Sequence, residues 1–366
     1  MILPQDQPFV LRQSTLIKAM RFPLIVMVLF IHSPGAFLDP RLELSFEGWN
    51  IYHIITELIS GHMFAIATRC FFIFSGFLFY RYLKDGEFSI KWVITKWKKR
   101  FWSLFVPFIL WNLFMVVAVI LKNAAFDALS LKSSVGELYL VGKGPLYWFL
   151  TGPADYPLWF LRDLILMTLI APLIYPIVKS FRWASVVILI ILYFSPLTLV
   201  IPSKQAIIYF SFGAWLGINR YELLTICRKC KVSAAIISVV LLPIATSQVG
   251  RPLHTFLLDL YIPFGIITFV NICDSLINNK KISEWLCKLS ATVFFIYAIH
   301  EIYILGWTKG LFLRIFGDSL ISTWISYFFV PVVVLFVCLG LYYLFNRIMP
   351  RTMSFACGGR NDFRTQ

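Results

Sequence analysis

The chain has 366 residues, 59% of them hydrophobic and only 14% charged, with 36 Phe, 16 Tyr and 12 Trp and a mean hydropathy of +0.80. A water-soluble fold has no interior large enough to hide that much apolar surface, so composition excludes a soluble enzyme or binding module and implies a polytopic membrane protein. The formal net charge of +15 is assigned by its distribution to topology and anionic-lipid contact, and no nucleic-acid partner is expected.

Ten apolar stretches, most long enough to cross a hydrocarbon core of about 30 Å, lie between polar segments. They are 21–38, 63–83, 101–121, 157–179, 183–200, 205–218, 232–247, 256–273, 285–305 and 322–346, the sixth and seventh being short. No Gly-, Ser- or Pro-rich linker divides the chain. The expectation is an all-α bundle of about ten transmembrane helices, a single integral membrane domain over 1–366 with its core at about 18–346. The first residues include Gln5, Asp6, Arg12 and Lys18, and no small-residue cleavage site follows the first apolar run, so no cleaved signal peptide is expected. With the N-terminus inside, the segments on its side hold 23 of the 33 Lys and Arg and the opposite set 8, while Arg69 and Arg162 fall within spans. That imbalance predicts both termini in the cytoplasm.

Charged groups inside spans cost several kcal/mol unless paired or hydrated, so each marks a functional site or a structural pair. In the first span, "RFPLIVMVLFIHS" carries Arg21 and, eleven residues on, His32. On a helix the two share a face about 16 Å apart, with Arg21 at the inner edge and His32 in the outer half. Ser33, Pro34 and Gly35 predict that the helix breaks just beyond His32, which leaves room either for a reactive site or for a buried imidazole bonded to a neighbouring helix.

"RCFFIFSGFLFYR" at 69–81 adds Arg69 and the small pair Ser75-Gly76, suited to close helix packing or to the approach of a ligand. "KWVITKWKKR" at 91–100 makes a basic cytoplasmic rim, including Lys98, Lys99 and Arg100, that either anchors a helix to anionic headgroups or docks a soluble, multiply phosphorylated ligand. The longest outer loop, about 122–156, is rich in Gly, Pro and aromatics near its end, consistent with a lid-like segment or an ordinary interfacial loop.

In "PLWFLRDLI" at 157–165, Trp159, Arg162 and Asp163 share one helical face, either as part of a polar network lining a cavity or as a clamp at the outer interface. Cys227 and Cys230 are the one cysteine pair with metal-like spacing; without a second pair they predict neither a disulfide framework nor a metal site. Asp259 lies within the eighth span. "YAIHEIYI" at 297–304 supplies His300 and Glu301, which on a regular helix point about 100° apart, so only one is expected to face a given cavity. His32, Arg162, Asp163 and His300, with Glu301 as a further candidate, lie at similar outer depth and predict a polar chamber reached from the cytoplasm past Arg21 and the basic loop.

Arg21-x10-His32, "FFIFSGF" at 71–77, "KKRFWSLFVPFILW" at 98–111, "PLWFLRDL" at 157–164 and "YAIH" at 297–300 occur in an order that resembles the acyltransferase family 3 membrane proteins, over about 18–346. The resemblance implies a bacterial cytoplasmic-membrane O-acyltransferase of about ten helices in its stand-alone form. It would take an acyl group, commonly acetyl, from cytoplasmic acyl-CoA to a hydroxyl of a cell-surface or secreted carbohydrate. It carries the family's essential histidine and arginine to His32 and Arg21, its SGF serine to Ser75 and its Trp-Phe-Leu-Arg segment to Trp159 through Arg162. The expected mechanism has CoA phosphates on Arg21 with Lys98, Lys99 or Arg100, and His32 as general base, with Ser75, Arg162 and His300 orienting groups or stabilising the oxyanion. An acyl-histidine intermediate remains open, as does a glycan or lipid-linked-sugar transporter lined by the same charges, or a scaffold in which none of them matters to any activity.

Overall fold

A computed structural model describes residues 7–34, 47–84, 86–128, 147 and 151–359, with side chains from residue 11 onward. Among these residues there is no β-strand. Helix α1 (Gln7–His32) begins fourteen residues before Arg21 and runs through Pro23 without a break. Arg21 therefore sits inside the helix rather than at its entrance. Only the far end matches the expectation: the helix stops at His32, as the following Ser-Pro requires.

The second predicted span is longer than its apolar core. Helix α2 (Gly48–Thr56), a π-helical turn at Glu57–His62, a 3-10 turn at Met63–Ala65 and helix α3 (Ile66–Tyr80) form one rod from Gly48 to Tyr80. Helix α4 (Ile90–Arg100), capped by the Ser89 hydroxyl accepting from the Trp92 amide at 3.3 Å, continues through a π-helical turn at Phe101–Phe105 into α5 (Val106–Ala128). The lid-like segment predicted at 122–156 falls mostly outside the described residues.

A 3-10 turn at Tyr156–Leu158 leads into α6 (Trp159–Phe181), followed by α7 (Trp183–Phe194), α8 (Lys204–Ile218), α9 (Leu223–Lys229), α10 (Lys231–Ser247) and α11 (His254–Leu276). Then come α12 (Lys280–Leu289), α13 (Val293–Ile299), a π-helical turn at His300–Ile304, α14 (Leu305–Phe316), α15 (Leu320–Ile348) and α16 (Pro350–Ala356).

Six helical rods among the described residues are long and apolar enough to cross a membrane, or up to eight when two bent runs, α9–α10 at 74° and α12 with α13–α14 at 45°, each count once. The stretch predicted at 183–200 stops at Phe194. The short stretch at 205–218 is a 15-residue helix buried along most of its length. A helix enclosed by protein need not match the lipid thickness.

Helix α1 is central: it packs on α3, α11, α12, α13 and α15, and Leu16, Met20, Leu24, Ile25 and Leu29 on it are almost fully buried. Helices α3 and α8 meet backbone to backbone. A Cβ on Gly76 would stand 2.0 Å from the Phe210 carbonyl oxygen, and one on Gly213 2.1 Å from that of Ile73. Only glycine allows this crossing, in which van der Waals packing supplies what the hydrophobic effect does not between helices in lipid. The outward faces are apolar, as lipid contact demands: Val187, Ile188, Ile190 and Ile191 on α7 and Phe336 on α15 are all exposed.

Candidate active site

A cavity of about 590 Å³ lies inside the bundle against α1. On that helix Arg21, Ile25, Val28 and His32 line it, at i, i+4, i+7 and i+11. This is one helical stripe, so Arg21 and His32 stand at its two ends, about 16 Å apart along the axis. The adjacent residues Ser75 and Gly76 divide their tasks. Ser75 lines the cavity with Phe71, Phe74 and Leu78 on the same face of α3, while Gly76 turns to α8.

Arg69 and Arg100 also line the cavity. Arg100, the last residue of α4, lies near enough to Arg21 for each to feel the other's charge. Two like charges brought together in a partly enclosed cavity are held there at a cost unless an anion joins them. Arg69 donates to the Ala65 carbonyl at 2.6 Å. Lys98 and Lys99 are exposed and do not line the cavity, so of the three basic residues predicted on this rim the structure brings only Arg100 to it.

At the other end, His32 Nδ1 lies 3.2 Å from Glu301 Oε1, and the rings of His32 and His300 have centroids 5.4 Å apart. His300 is fully buried. Its Nδ1 faces the carbonyls of Tyr297 at 2.8 Å and Ile296 at 3.1 Å. Carbonyls only accept, so the Nδ1 carries the hydrogen and the Nε2 keeps a lone pair; that Nε2 is buried with no hydrogen-bond partner.

The sequence expected one of His300 and Glu301 to face the cavity, and neither is among its lining residues. Both lie against His32 instead, because α13 opens into a π-helical turn in which Ile302 has ψ 79° and Tyr303 φ 61°, so the regular 100° step does not apply. A non-glycine residue at positive φ stores strain of the kind that accompanies functional sites.

Two further groups surround this cluster. Lys309 donates to the Ser33 carbonyl at 2.9 Å, closing the frayed end of α1, and its charge reaches Glu301. Asp155 is buried close enough to Glu301 for their charges to interact, and one of its oxygens has no hydrogen-bond partner. Neither position was singled out from sequence.

Arg162 takes no part in the cavity wall. It holds Asp163 Oδ1 through Nε at 3.0 Å and Nη2 at 2.8 Å, and donates from Nη1 to the Thr151 carbonyl at 2.8 Å. The other Asp163 oxygen accepts from the Ser203 amide at 2.9 Å. Of the two readings the sequence left open, this geometry is the clamp: it ties α6 to the segments that enter α6 and α8.

Residues 16–343, far more than half of the chain, match the family model described as an acyltransferase domain, acyltransferase family 3. The chain belongs to that family. It is accordingly an acyltransferase with multiple membrane-spanning helices. The succinoglycan biosynthesis protein ExoH of Rhizobium meliloti (strain 1021) is 23% identical, over 95% of this chain and 92% of its own. No solved structure matches.

Within this family member, sequence reasoning missed Glu57, which lines the cavity, and the pair His62 and His254, whose Nε2 atoms are 2.8 Å apart. The apolar run through 51–56 was the available signal, since it extends the second span back past both Glu57 and His62. The cysteine pair separates, Cys227 in the core and Cys230 exposed. Among the described residues, the ligand-type atoms that do converge are those of His32, His300 and Glu301, all within 4.8 Å of one another.

Proposed function

We propose that the protein is an acyl-CoA-dependent O-acyltransferase that moves an acyl group, acetyl by preference, from the cytoplasm to a hydroxyl of a cell-envelope or secreted polysaccharide. The observation that carries this reading is the α1 stripe: Arg21 at one end of a continuous cavity and His32 at the other. An extended pantetheine arm spans about the 16 Å between them. Arg21 and Arg100 suit the anionic head of CoA, because guanidinium groups bind phosphate oxygens bidentately and lose little on desolvation. The carbohydrate acceptor is inferred from the name of the rhizobial relative.

His32 acts as general base. Glu301 at its Nδ1 fixes the tautomer that leaves Nε2 basic. Nε2 takes the proton of the acceptor hydroxyl as its oxygen attacks the thioester carbonyl carbon. The C–O bond forms, the C–S bond breaks, and the departing CoA thiolate receives that proton from the imidazolium. Ser75, which lines the same cavity, donates to the oxyanion in this reading. His300 and Glu301 serve as positioning residues behind His32, and Arg162 holds the scaffold.

In this reading the chain crosses the bacterial cytoplasmic membrane ten times with both termini in the cytoplasm. The basic α4 rim then faces the donor, and His32 lies toward the acceptor side. The test is incubation of membranes with radiolabelled acetyl-CoA. Label on carbohydrate is expected, with Arg21→Ala raising the acetyl-CoA concentration needed for half-maximal rate by about tenfold or more. Movement of sugar without label transfer would identify a transporter instead, and an unchanged donor dependence in Arg21→Ala would remove the docking assignment.

A further inference from the structure

We propose that His32, His300 and Glu301 also form a binding site for a divalent transition-metal ion of the zinc class, and that an ion held there blocks acyl transfer. The three residues come from the end of α1 and from the strained turn after α13, and two nitrogens with one carboxylate oxygen make a donor set suited to Zn²⁺ rather than to Mg²⁺ or Ca²⁺.

His300 is the anchor. Backbone carbonyls hold its Nδ1–H, the arrangement that outer-shell partners impose on metal-bound histidines, and its buried Nε2 has nothing to accept from. The ligand atoms lie within 4.8 Å, whereas donors around a tetrahedral zinc sit about 3.3 Å apart for bonds of about 2.0 Å. Side-chain rotation closes that gap: His32 and Glu301 keep 20% and 29% of their side-chain surface exposed, while His300 is fixed.

The charge balance around the site is mixed but admits a cation. Glu301 and the neighbouring Asp155 favour it, and Lys309 opposes it while directing its ammonium to the Ser33 carbonyl. His32 lines the cavity, so an ion has a route in. Three protein ligands leave a fourth position open.

Blocking follows from lone-pair bookkeeping and rests on the proposed role of His32. A neutral imidazole has one free ring lone pair, so an ion on either nitrogen of His32 leaves the other carrying the hydrogen and neither can take a proton, and Glu301 drawn onto the ion no longer fixes the tautomer. Metal binding itself stands apart from that role and is measured separately.

The experiment uses the full chain, purified in detergent without a histidine tag and stripped with EDTA, in equilibrium dialysis against Zn²⁺. One Zn²⁺ per chain is expected for wild type, weakened at least tenfold by His300→Ala and by the near-isosteric Glu301→Gln, and unchanged by His254→Ala or Cys230→Ser. Acyl transfer by wild type should fall as Zn²⁺ fills the site and return with EDTA. Absence of binding by wild type, or equal binding by both site variants, overturns the site. Undiminished transfer by the zinc-loaded protein overturns the blocking. A wild type that binds zinc but transfers no acyl group when stripped refutes the proposed function and leaves the metal site standing.

Discussion

In the proposed mechanism His32 serves as a base in the tautomer that leaves its Nε2 unprotonated, which is the tautomer an ionised Glu301, 3.2 Å from the Nδ1, would favour. Glu301→Gln should lower kcat by about 10- to 100-fold while leaving the KM for acyl-CoA unchanged, since Glu301 orients the base and touches no donor group. A matching rise in KM would show that the carboxylate contacts substrate instead. For Arg162 the expected failure is structural. Removing its guanidinium strands the buried Asp163 carboxylate, a loss of about 3–5 kcal/mol by the usual cost of breaking a buried pair. Arg162→Met should therefore lower thermal stability in detergent sharply, and a stable but inactive Arg162→Met would instead place Arg162 in the chemistry. That Arg21 and His32 share a face was legible in their spacing on a regular helix, while their assignment to a site, like that of Ser75, came from the family resemblance. That Glu301 and His300 would both lie against His32 was not legible, because the rule that separates adjacent side chains assumes an unbroken helix and the chain departs from it at 300–304.

At the level of elements, the crossing of α3 and α8 sets the position of Ser75. The Cβ of Gly76→Ala would meet the Phe210 carbonyl oxygen at 2.0 Å, a contact that only backbone movement relieves, at a cost of about 1–3 kcal/mol. Gly76→Ala is expected to lower the melting temperature and the transfer rate together, whereas Ser75→Ala, facing the cavity, should slow transfer at unchanged stability. Equal stability of the Gly76 variant would contradict the packing described. The rods themselves were legible as apolar runs, but their ends were not. Hydropathy marks where a helix meets lipid; α1 and the Ile90–Ala128 rod continue beyond that point as polar or basic helix, and the Gly48–Tyr80 rod passes through polar Glu57–His62 into the further apolar run of α2. The buried α8 escapes the same reasoning because protein, not lipid, surrounds it.

For the whole molecule, the account requires the donor and acceptor to approach from opposite sides, with Arg100 toward the cytoplasm and the end of α1 toward the outer face. Single cysteines at Lys98 and at Asp318, in a chain whose reactive native cysteines are replaced, should be labelled by an impermeant maleimide from opposite sides of the membrane. Labelling from the same side would break the path. This orientation is proposed from the amino-acid order alone, on the asymmetry of basic residues between the two sets of loops. A chamber was expected from sequence but its walls were not, since α1, α3, α4 and α6 converge on it only in the fold. The most direct measurement is transfer of labelled acetyl groups from acetyl-CoA to polysaccharide by His32→Ala in proteoliposomes, with donor binding measured alongside. The account predicts that binding persists and transfer disappears; transfer at a rate near wild type would contradict it.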